Sequence, residues 1–203
     1  MLKQLAGFQA FLFDLDGVLV DSYECWRSLV NDMLKTRGKP ALSREEFDPY
    51  WGQGPEADRE MFFQDLSLQQ LLDYYNNNFY RYTPLVKKEP GSADALRALK
   101  EEEKVIGVAS NSTTPVIAAL LKATDLDSYV DVITGAEEVE HSKPAPDLIL
   151  ATLRKLRADV TSACYIGDSI FDQQAAAAAG VFFVGFKRAG QISINAFSEL
   201  GVL

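Results

Sequence analysis

The stretch Phe11-Leu-Phe-Asp14-Leu-Asp16-Gly17-Val-Leu-Val-Asp21-Ser22 constrains this chain more than any other. It begins in an unbroken apolar run, Ala10 to Phe13, which reads as a strand buried on both faces. Two carboxylates, Asp14 and Asp16, end the run. Side chains two apart on a strand point the same way, so both acids project from one strand end into one space. Two anions that close repel and raise a pKa. A divalent cation, or a proton on one of them, resolves the conflict. Gly17 lets the chain leave the strand with backbone angles that other residues avoid. The plain alternative is a strand followed by an acidic turn, because Asp-Gly is a common turn dipeptide. The remainder of the chain has to decide.

With 203 residues the chain can form one or two domains with a real core. It is 47% hydrophobic and 24% charged, an ordinary balance for a soluble globular protein. The net charge of -9 argues against broad binding to nucleic acid or to anionic membranes. An anionic substrate stays open, because a local cation can reverse the sign at a site. Cys25 falls in a helical pattern and Cys164 in an apolar strand, and no structural disulfide is expected. Met1 to Phe8 lacks a long apolar segment with a cleavage site, and no apolar run is long enough to span a bilayer. The expectation is a cytoplasmic protein.

Asp21-Ser22 reads as a helix cap, and Tyr23 to Thr36 carries Trp26, Leu29, Val30, Met33 and Leu34 at the spacing of an amphipathic helix. Ser43-Arg-Glu-Glu46 fits a capping box. Gly52-Gln53-Gly54-Pro55 breaks the pattern, and two helical stretches follow, Glu56 to Leu66 and Leu68 to Tyr82. Nothing from Asp21 to about Lys88 reads as a strand, so this is a helical insertion of domain size. From Ser92 helices and short apolar strands alternate: Val105–Ala109, Val130–Thr134, Ala163–Ile166 and Val181–Phe186 are strands, and Ile194 to Leu200 reads as a last helix. That alternation predicts an α/β fold, a parallel sheet with helices on both faces.

Ligand sites in such sheets gather at the carboxyl ends of the strands. After the first strand come Asp14 and Asp16. After Val105–Ala109 come Ser110-Asn111-Ser112. Beyond Val130–Thr134 lie Glu137-Glu138 and then His141-Ser-Lys143-Pro144. After Ala163–Ile166 comes Gly167-Asp168-Ser169-Ile-Phe-Asp172. Carboxylates, a hydroxyl, an amide and a lysine thus converge on one edge. The set suits a phosphorylated substrate and a hard cation such as Mg2+. Each element also has a plain reading. Ser110-Asn111 can be a turn, Lys143 a solvated loop charge, Asp168 and Asp172 helix-start acids. Glu137 and Glu138 read as loop acids, and His141 has no assigned role. Their joint order weighs against the plain readings.

On these four elements the sequence resembles the haloacid dehalogenase superfamily of phosphohydrolases. It resembles most the branch with a helical cap after the first strand, which includes phosphoglycolate-phosphatase-like and β-phosphoglucomutase-like enzymes. The resemblance covers essentially the whole chain. It implies a Rossmann-like core formed by residues 1–20 and 88–203, and an all-α cap formed by residues 21–87. It implies that Asp14 attacks phosphorus and becomes an aspartyl-phosphate, and that Asp16 protonates the leaving oxygen and later activates water. It implies Asp14 and Asp168 as Mg2+ ligands, with the Asp16 backbone carbonyl, and Asp172 as a ligand or a holder of metal-bound water. Ser110 and the Asn111 region would bind phosphoryl oxygens, and Lys143 would offset charge on nucleophile and phosphate. An acid at Asp16 favours phosphoester chemistry over dehalogenation.

The cap break Trp51-Gly52-Gln53-Gly54-Pro55 is the expected substrate-facing loop, with Gln53 and Arg59 as candidate substrate-binding residues. Phe62, Phe63, Tyr74, Tyr75, Phe79 and Tyr82 read mostly as helix packing. The expected function is an Mg2+-dependent phosphatase for a small phosphorylated metabolite, acting without nucleic-acid or membrane partners as a monomer or weak homodimer. The alternatives are a sugar phosphomutase using the same nucleophile and a non-catalytic binding protein that retains the fold.

Overall fold

The computed structural model describes residues 5–200. Strand β1 (Ala10–Phe13) leads through the Asp16–Leu19 turn to a two-residue strand β2 (Val20–Asp21). Four helices follow: α1 (Tyr23–Thr36), α2 (Arg44–Phe47), α3 (Pro55–Phe62) and α4 (Leu68–Asn78). A 3-10 segment, Phe79–Leu85, leads to β3 (Lys87–Lys88). The rest alternates: α5 (Ser92–Glu101), β4 (Val105–Ala109), α6 (Thr114–Ala123), β5 (Val132–Thr134), α7 (Asp147–Leu156), β6 (Ala163–Gly167), α8 (Ile170–Ala179), β7 (Phe182–Phe186) and β8 (Ile192–Ile194).

Six strands form one parallel sheet in the order β5-β4-β1-β6-β7-β8, as the alternation predicts. The chain leaves β1 toward β4 and β5, then returns to the other side for β6, so β1 is the point where the winding reverses. Phe13 stands opposite Val108 on one side and Ile166 on the other. The carboxyl ends of β1, β4 and β6 therefore lie next to one another, where crevices form in such sheets.

Alternation along β1 sorts its side chains between two cores. Ala10 and Leu12 join Leu148, Ile149, Ala175 and Ala176 of α7 and α8 on one face. Phe11 and Phe13 join Leu96, Leu99, Val116 and Leu120 of α5 and α6 on the other. Every residue of β1 is buried, which is why the strand is continuously apolar. The second core is continuous with the helical layer, since it also holds Leu29, Met33, Phe63, Leu71 and Tyr75. This burial of the apolar stripe stabilises helices that would be marginal alone.

Some expectations need correction. Ile194 to Leu200 is not one helix. Ile192-Ser193-Ile194 alternates apolar and polar residues and adds a strand to the free edge of β7; only Phe197–Leu200 is helical, as a 3-10 turn. Val20–Asp21 pairs antiparallel with Lys87–Lys88 where the chain enters and leaves the helical layer, pieces too short for any periodicity. Ser22 precedes α1, but its hydroxyl makes no cap bond and donates to Asp16 instead. The α2 capping box is present as read. Cys25 and Cys164 are buried and unpaired. No helix among the described residues is long and apolar enough to cross a membrane.

Gly107 in β4 shows how closely α7 packs. A Cβ there would lie 2.5 Å from Thr152 Cγ2 and 3.1 Å from Leu156 Cδ1. We expect Gly107→Ala to destabilise the protein by about 1–3 kcal/mol through overpacking. Urea unfolding of the variant beside wild type checks this; an unchanged midpoint would show that α7 yields.

Candidate active site

Asp14 is the first residue beyond β1, Ser110 the first beyond β4, and Asp168 the first beyond β6. Lys143 comes from the long connection between β5 and α7. Its Nζ lies 2.8 Å from Asp14 Oδ1 and 2.7 Å from Asp172 Oδ1. It also donates to the Tyr165 hydroxyl at 3.0 Å. That hydroxyl stands 2.9 Å from both Asp172 Oδ1 and the Ala109 carbonyl, and it can donate to either. Lys143, Asp14 and Asp172 are all buried, so the ammonium is a desolvated charge with a complete set of acceptors.

The carboxylates titrate unlike free acids. Burial first, then repulsion by Asp172, Asp168 and Asp16, raises Asp14 well above its ordinary value, and Lys143 only partly offsets this. Burial and the Asp172 charge push Asp168 up to about 7. Burial would raise Asp172 too, but Lys143 and the Ser169 donors outweigh it and hold it low. Burial alone would lower the Lys143 ammonium; Asp14 and Asp172 more than reverse that and raise it. The group therefore carries more negative charge than one lysine can balance.

Asp14, Asp168 and Asp172 offer oxygens that all lie within 4.8 Å of one another, a donor set suited to a hard divalent cation. The fit is uneven. Asp172 Oδ2 already accepts from the Ser169 amide and hydroxyl at 3.0 and 2.6 Å, and its Oδ1 takes Lys143. Asp14 Oδ2 has no hydrogen-bond partner among the described residues, and Asp168 sits close under Gly17. A Cβ on Gly17, whose φ is +85°, would fall 2.2 Å from Asp168 Oδ2. Glycine here serves both the left-handed turn and the room Asp168 needs.

Asp16 is held differently. Its Oδ1 accepts from the Ser22 hydroxyl and from Trp26 Nε1 at 3.1 Å. Its Oδ2 accepts from Ser112 Oγ at 2.8 Å and Ser110 Oγ at 3.2 Å. Its carboxylate is not part of the three-acid group. Asn111 joins three segments: its Oδ1 accepts from the Lys143 amide at 2.9 Å, and its Nδ2 donates to the Gly52, Gln53 and Lys143 carbonyls at 3.2 Å. Its side chain is thus a brace between the β4 loop and the helical layer.

Asp14, Asp16, Ser110, Asn111, Ser112 and Lys143 floor a cavity whose roof comes from the α1 to α4 layer, while Asp168 and Asp172 lie behind its wall. Trp51, Gly52, Gly54 and Pro55 lie on its wall, and so do Trp26, Phe47, Tyr50, Asp58 and Tyr75. Gln53 does not: its side-chain amide donates to the Pro49 carbonyl at 2.5 Å. Arg59 is also off the wall, with its guanidinium 4.0 Å from Glu60. Tyr75 reads as helix packing in the sequence, yet it lines the cavity and donates to Asp58 Oδ2 at 2.7 Å. His141 is exposed, 3.5 Å from Asp147. Glu137 accepts from the Thr114 amide at the start of α6, and Glu138 from Lys155 and the Thr114 hydroxyl.

Sequence reading missed Ser22, Trp26, Asp58, Tyr75 and Tyr165 as site residues, and placed Ser112 at the right strand end without giving it a role. Trp26 and Tyr75 fall on apolar helical stripes, and Asp58 looks like an ordinary first-turn acid. Only the polar atoms that Trp and Tyr bring into a core hinted at partners.

The sequence profile of a family described as haloacid dehalogenase-like hydrolase matches residues 11–186. The chain is 33% identical over 182 residues to a protein provisionally named pyrophosphatase PpaX, from Caldanaerobacter subterraneus subsp. tengcongensis; the match covers 88% of this chain and 81% of that one. It is 30% identical over 209 residues to the phosphoglycolate phosphatase of Escherichia coli strain K12, covering 91% and 83%. Among solved structures, a HAD-superfamily hydrolase, subfamily IA, variant 1, from Geobacter sulfurreducens PCA superposes with a TM-score of 0.77 at 26% identity, covering 95% and 97%.

Two outcomes are expected. Lys143→Met leaves Asp14 and Asp172 buried without their cation and costs about 3–5 kcal/mol; denaturant unfolding with and without a divalent salt checks this, and the salt restores part of the loss. Burial pushes Asp58 up to about 7 from an ordinary 3.8. An acid raised on folding contributes stability that is present below its unfolded value and lost as pH climbs through the folded one. Asp58→Asn escapes that loss. Its melting temperature therefore gains on wild type between pH 4 and pH 8, on the order of 10 °C, whereas a constant difference would contradict the buried acid.

Proposed function

The chain belongs to the haloacid dehalogenase-like hydrolase family, and from that premise we propose that it is a divalent-metal-dependent phosphatase. Its substrate is a small phosphomonoester, and Asp14 is the nucleophile. The observation that carries this reading is the state of Asp14. One carboxylate oxygen is fixed by Lys143 at 2.8 Å. The other has no partner among the described residues, and Asp14 lines the cavity. A carboxylate held at one oxygen and free at the other is aimed for attack on phosphorus.

In the first step Asp14 forms a bond to phosphorus as the bond to the leaving oxygen breaks, and a proton from Asp16 goes to that oxygen. In the second, water attacks the aspartyl-phosphate, Asp16 takes its proton, and inorganic phosphate leaves. Ser22, Trp26, Ser110 and Ser112 hold the Asp16 carboxylate for both transfers. Lys143 stabilises the charge that gathers on Asp14 and on the phosphoryl oxygens. Mg2+, held by Asp14 and Asp168 with the Asp16 carbonyl, would supply further positive charge where phosphoryl oxygens gather. Asp172, already bonded at both oxygens, serves by placing Lys143. Residues 1–20 and 88–203 form the catalytic core and 21–87 a helical cap that excludes water. The outermost ends of that core, residues 1–4 and 201–203, lie outside the described residues.

Wild type is expected to release inorganic phosphate from p-nitrophenyl phosphate in Mg2+ and to stop in excess chelator. Asp14→Asn, which keeps the size of the side chain but not its nucleophilicity, is expected to lose at least about a thousandfold. Isomerised sugar phosphate without net phosphate release would favour the phosphomutase instead. Undiminished activity in Asp14→Asn would remove Asp14 as nucleophile.

A further inference from the structure

The roof of the cavity is unlike its floor. Aromatic rings from Trp26, Phe47, Tyr50, Trp51 and Tyr75 wall it. The one charged roof residue is an acid, Asp58 of α3, and Lys143 of the floor is the one basic residue on the wall among the described residues. No basic side chain of the helical layer lies on the cavity wall among the described residues. Arg37 lies 3.5 Å from Asp65 and Arg59 lies 4.0 Å from Glu60. Lys39 donates to the Phe62 carbonyl at 2.7 Å.

Asp58 is nearly buried, at 8% exposure. Its Oδ2 accepts from Tyr75 at 2.7 Å, and its Oδ1 has no hydrogen-bond partner among the described residues. A hydroxyl that donates to the carboxyl marks it as an acceptor. No cation acts on this carboxyl, and its free oxygen, on the wall of the cavity, is the acceptor that a donor brought by a ligand would meet. Aromatic walls favour cationic groups as well. A second anion on the substrate would meet repulsion and no counter-charge.

We propose that Asp58 selects the leaving group: the site takes short phosphomonoesters whose leaving group offers an amine or hydroxyl hydrogen to that carboxyl and carries no second anion. This rests on the phosphatase reading above and narrows it. The whole cavity, floor and roof together, has a volume of about 50 Å³, which suits a small ester. The names of the relatives would instead suggest substrates with an anionic leaving group, and the roof of this cavity holds nothing to receive one. The roof also explains why an arginine at 59 does not make an anion site: it sits next to Asp58 in sequence but off the wall.

The test uses size-matched substrates: 2-aminoethyl phosphate, 2-hydroxyethyl phosphate, 2-phosphoglycolate and ethyl phosphate, with p-nitrophenyl phosphate as a generic reference. Wild type is expected to show kcat/KM at least about tenfold higher for the amine or the hydroxyl than for 2-phosphoglycolate. The better of the two identifies which donor Asp58 receives. Asp58→Asn is expected to bring that ratio to within about threefold, mainly through KM. A purely structural Asp58–Tyr75 bond would alter stability without moving the ratio. If wild type prefers 2-phosphoglycolate, or Asp58→Asn leaves the ratio unchanged, the assignment of Asp58 falls while the phosphatase reading stands. If no substrate is hydrolysed, p-nitrophenyl phosphate included, both fall together. The wild-type ratio decides the matter even where a variant folds poorly.

Discussion

One ammonium group holds the site in place. Lys143 Nζ lies between Asp14 and Asp172, out of water, with Tyr165 beneath it. Ion pairs at the surface contribute little, but a buried pair that loses one member leaves an uncompensated charge worth several kcal/mol. Here one cation answers two carboxylates directly and faces two more, Asp16 and Asp168, nearby. Burial first, and then that imbalance, raise Asp14 and Asp168, while Lys143 and the Ser169 donors hold Asp172 low. The suitability of the site for a divalent cation and for a phosphoryl group that brings its own charge follows from the same imbalance.

The fold supplies the imbalance cheaply. Strand β1 is central in the sheet and apolar on both faces, so its end is fixed by two cores at once. The acids are needed only where the strand stops. Gly17 and Gly167 make room for them: a Cβ at Gly167 would fall 2.4 Å from the Asp172 Cβ. The polar groups that remain are then satisfied in turn, Asp172 by its helix-start serine, Asp16 by donors from two segments, Ser22 and Trp26 on one and Ser110 and Ser112 on the other. Asn111 ties the floor to the roof through the Gly52 and Gln53 carbonyls, and Thr113 reaches Asn76 at 2.5 Å. Roof and floor thus share hydrogen bonds that do not involve a ligand, so the shape of the cavity depends on both.

Much of the floor was legible in the sequence. Asp14 and Asp168 stand at strand ends that the apolar runs mark, Lys143 lies in the loop that follows another strand, and the residue types announce their chemistry. The helices of the roof were legible as helices, since Trp26, Leu29, Val30, Met33 and Leu34 all fall on the buried side of α1 as their spacing requires. The roof's part in the site was not legible. Gln53 and Arg59 are polar and near the loop break, but a polar side chain on a helix turns to water or to a neighbour unless something draws it inward. Asp58 and Tyr75 turn inward as a pair from two different helices, α3 and α4, 17 residues apart in the chain, and no local pattern joins them. Ile192–Ile194 likewise became a strand because β7 had an unpaired edge, a fact that belongs to the sheet.

By itself, then, the order of residues determined where most strands and helices run, and which acids and which lysine follow the strands on one edge of the sheet. Apolar periodicity and turn chemistry act over a few residues, and these features need nothing longer in range. The tertiary structure alone decided which carboxylates share one space, which oxygens are already taken, and which helix side chains face the cavity. Those depend on how desolvation and hydrogen-bond satisfaction are shared among segments distant along the chain, as in the 129-residue separation between Lys143 and Asp14, and no local pattern encodes that balance.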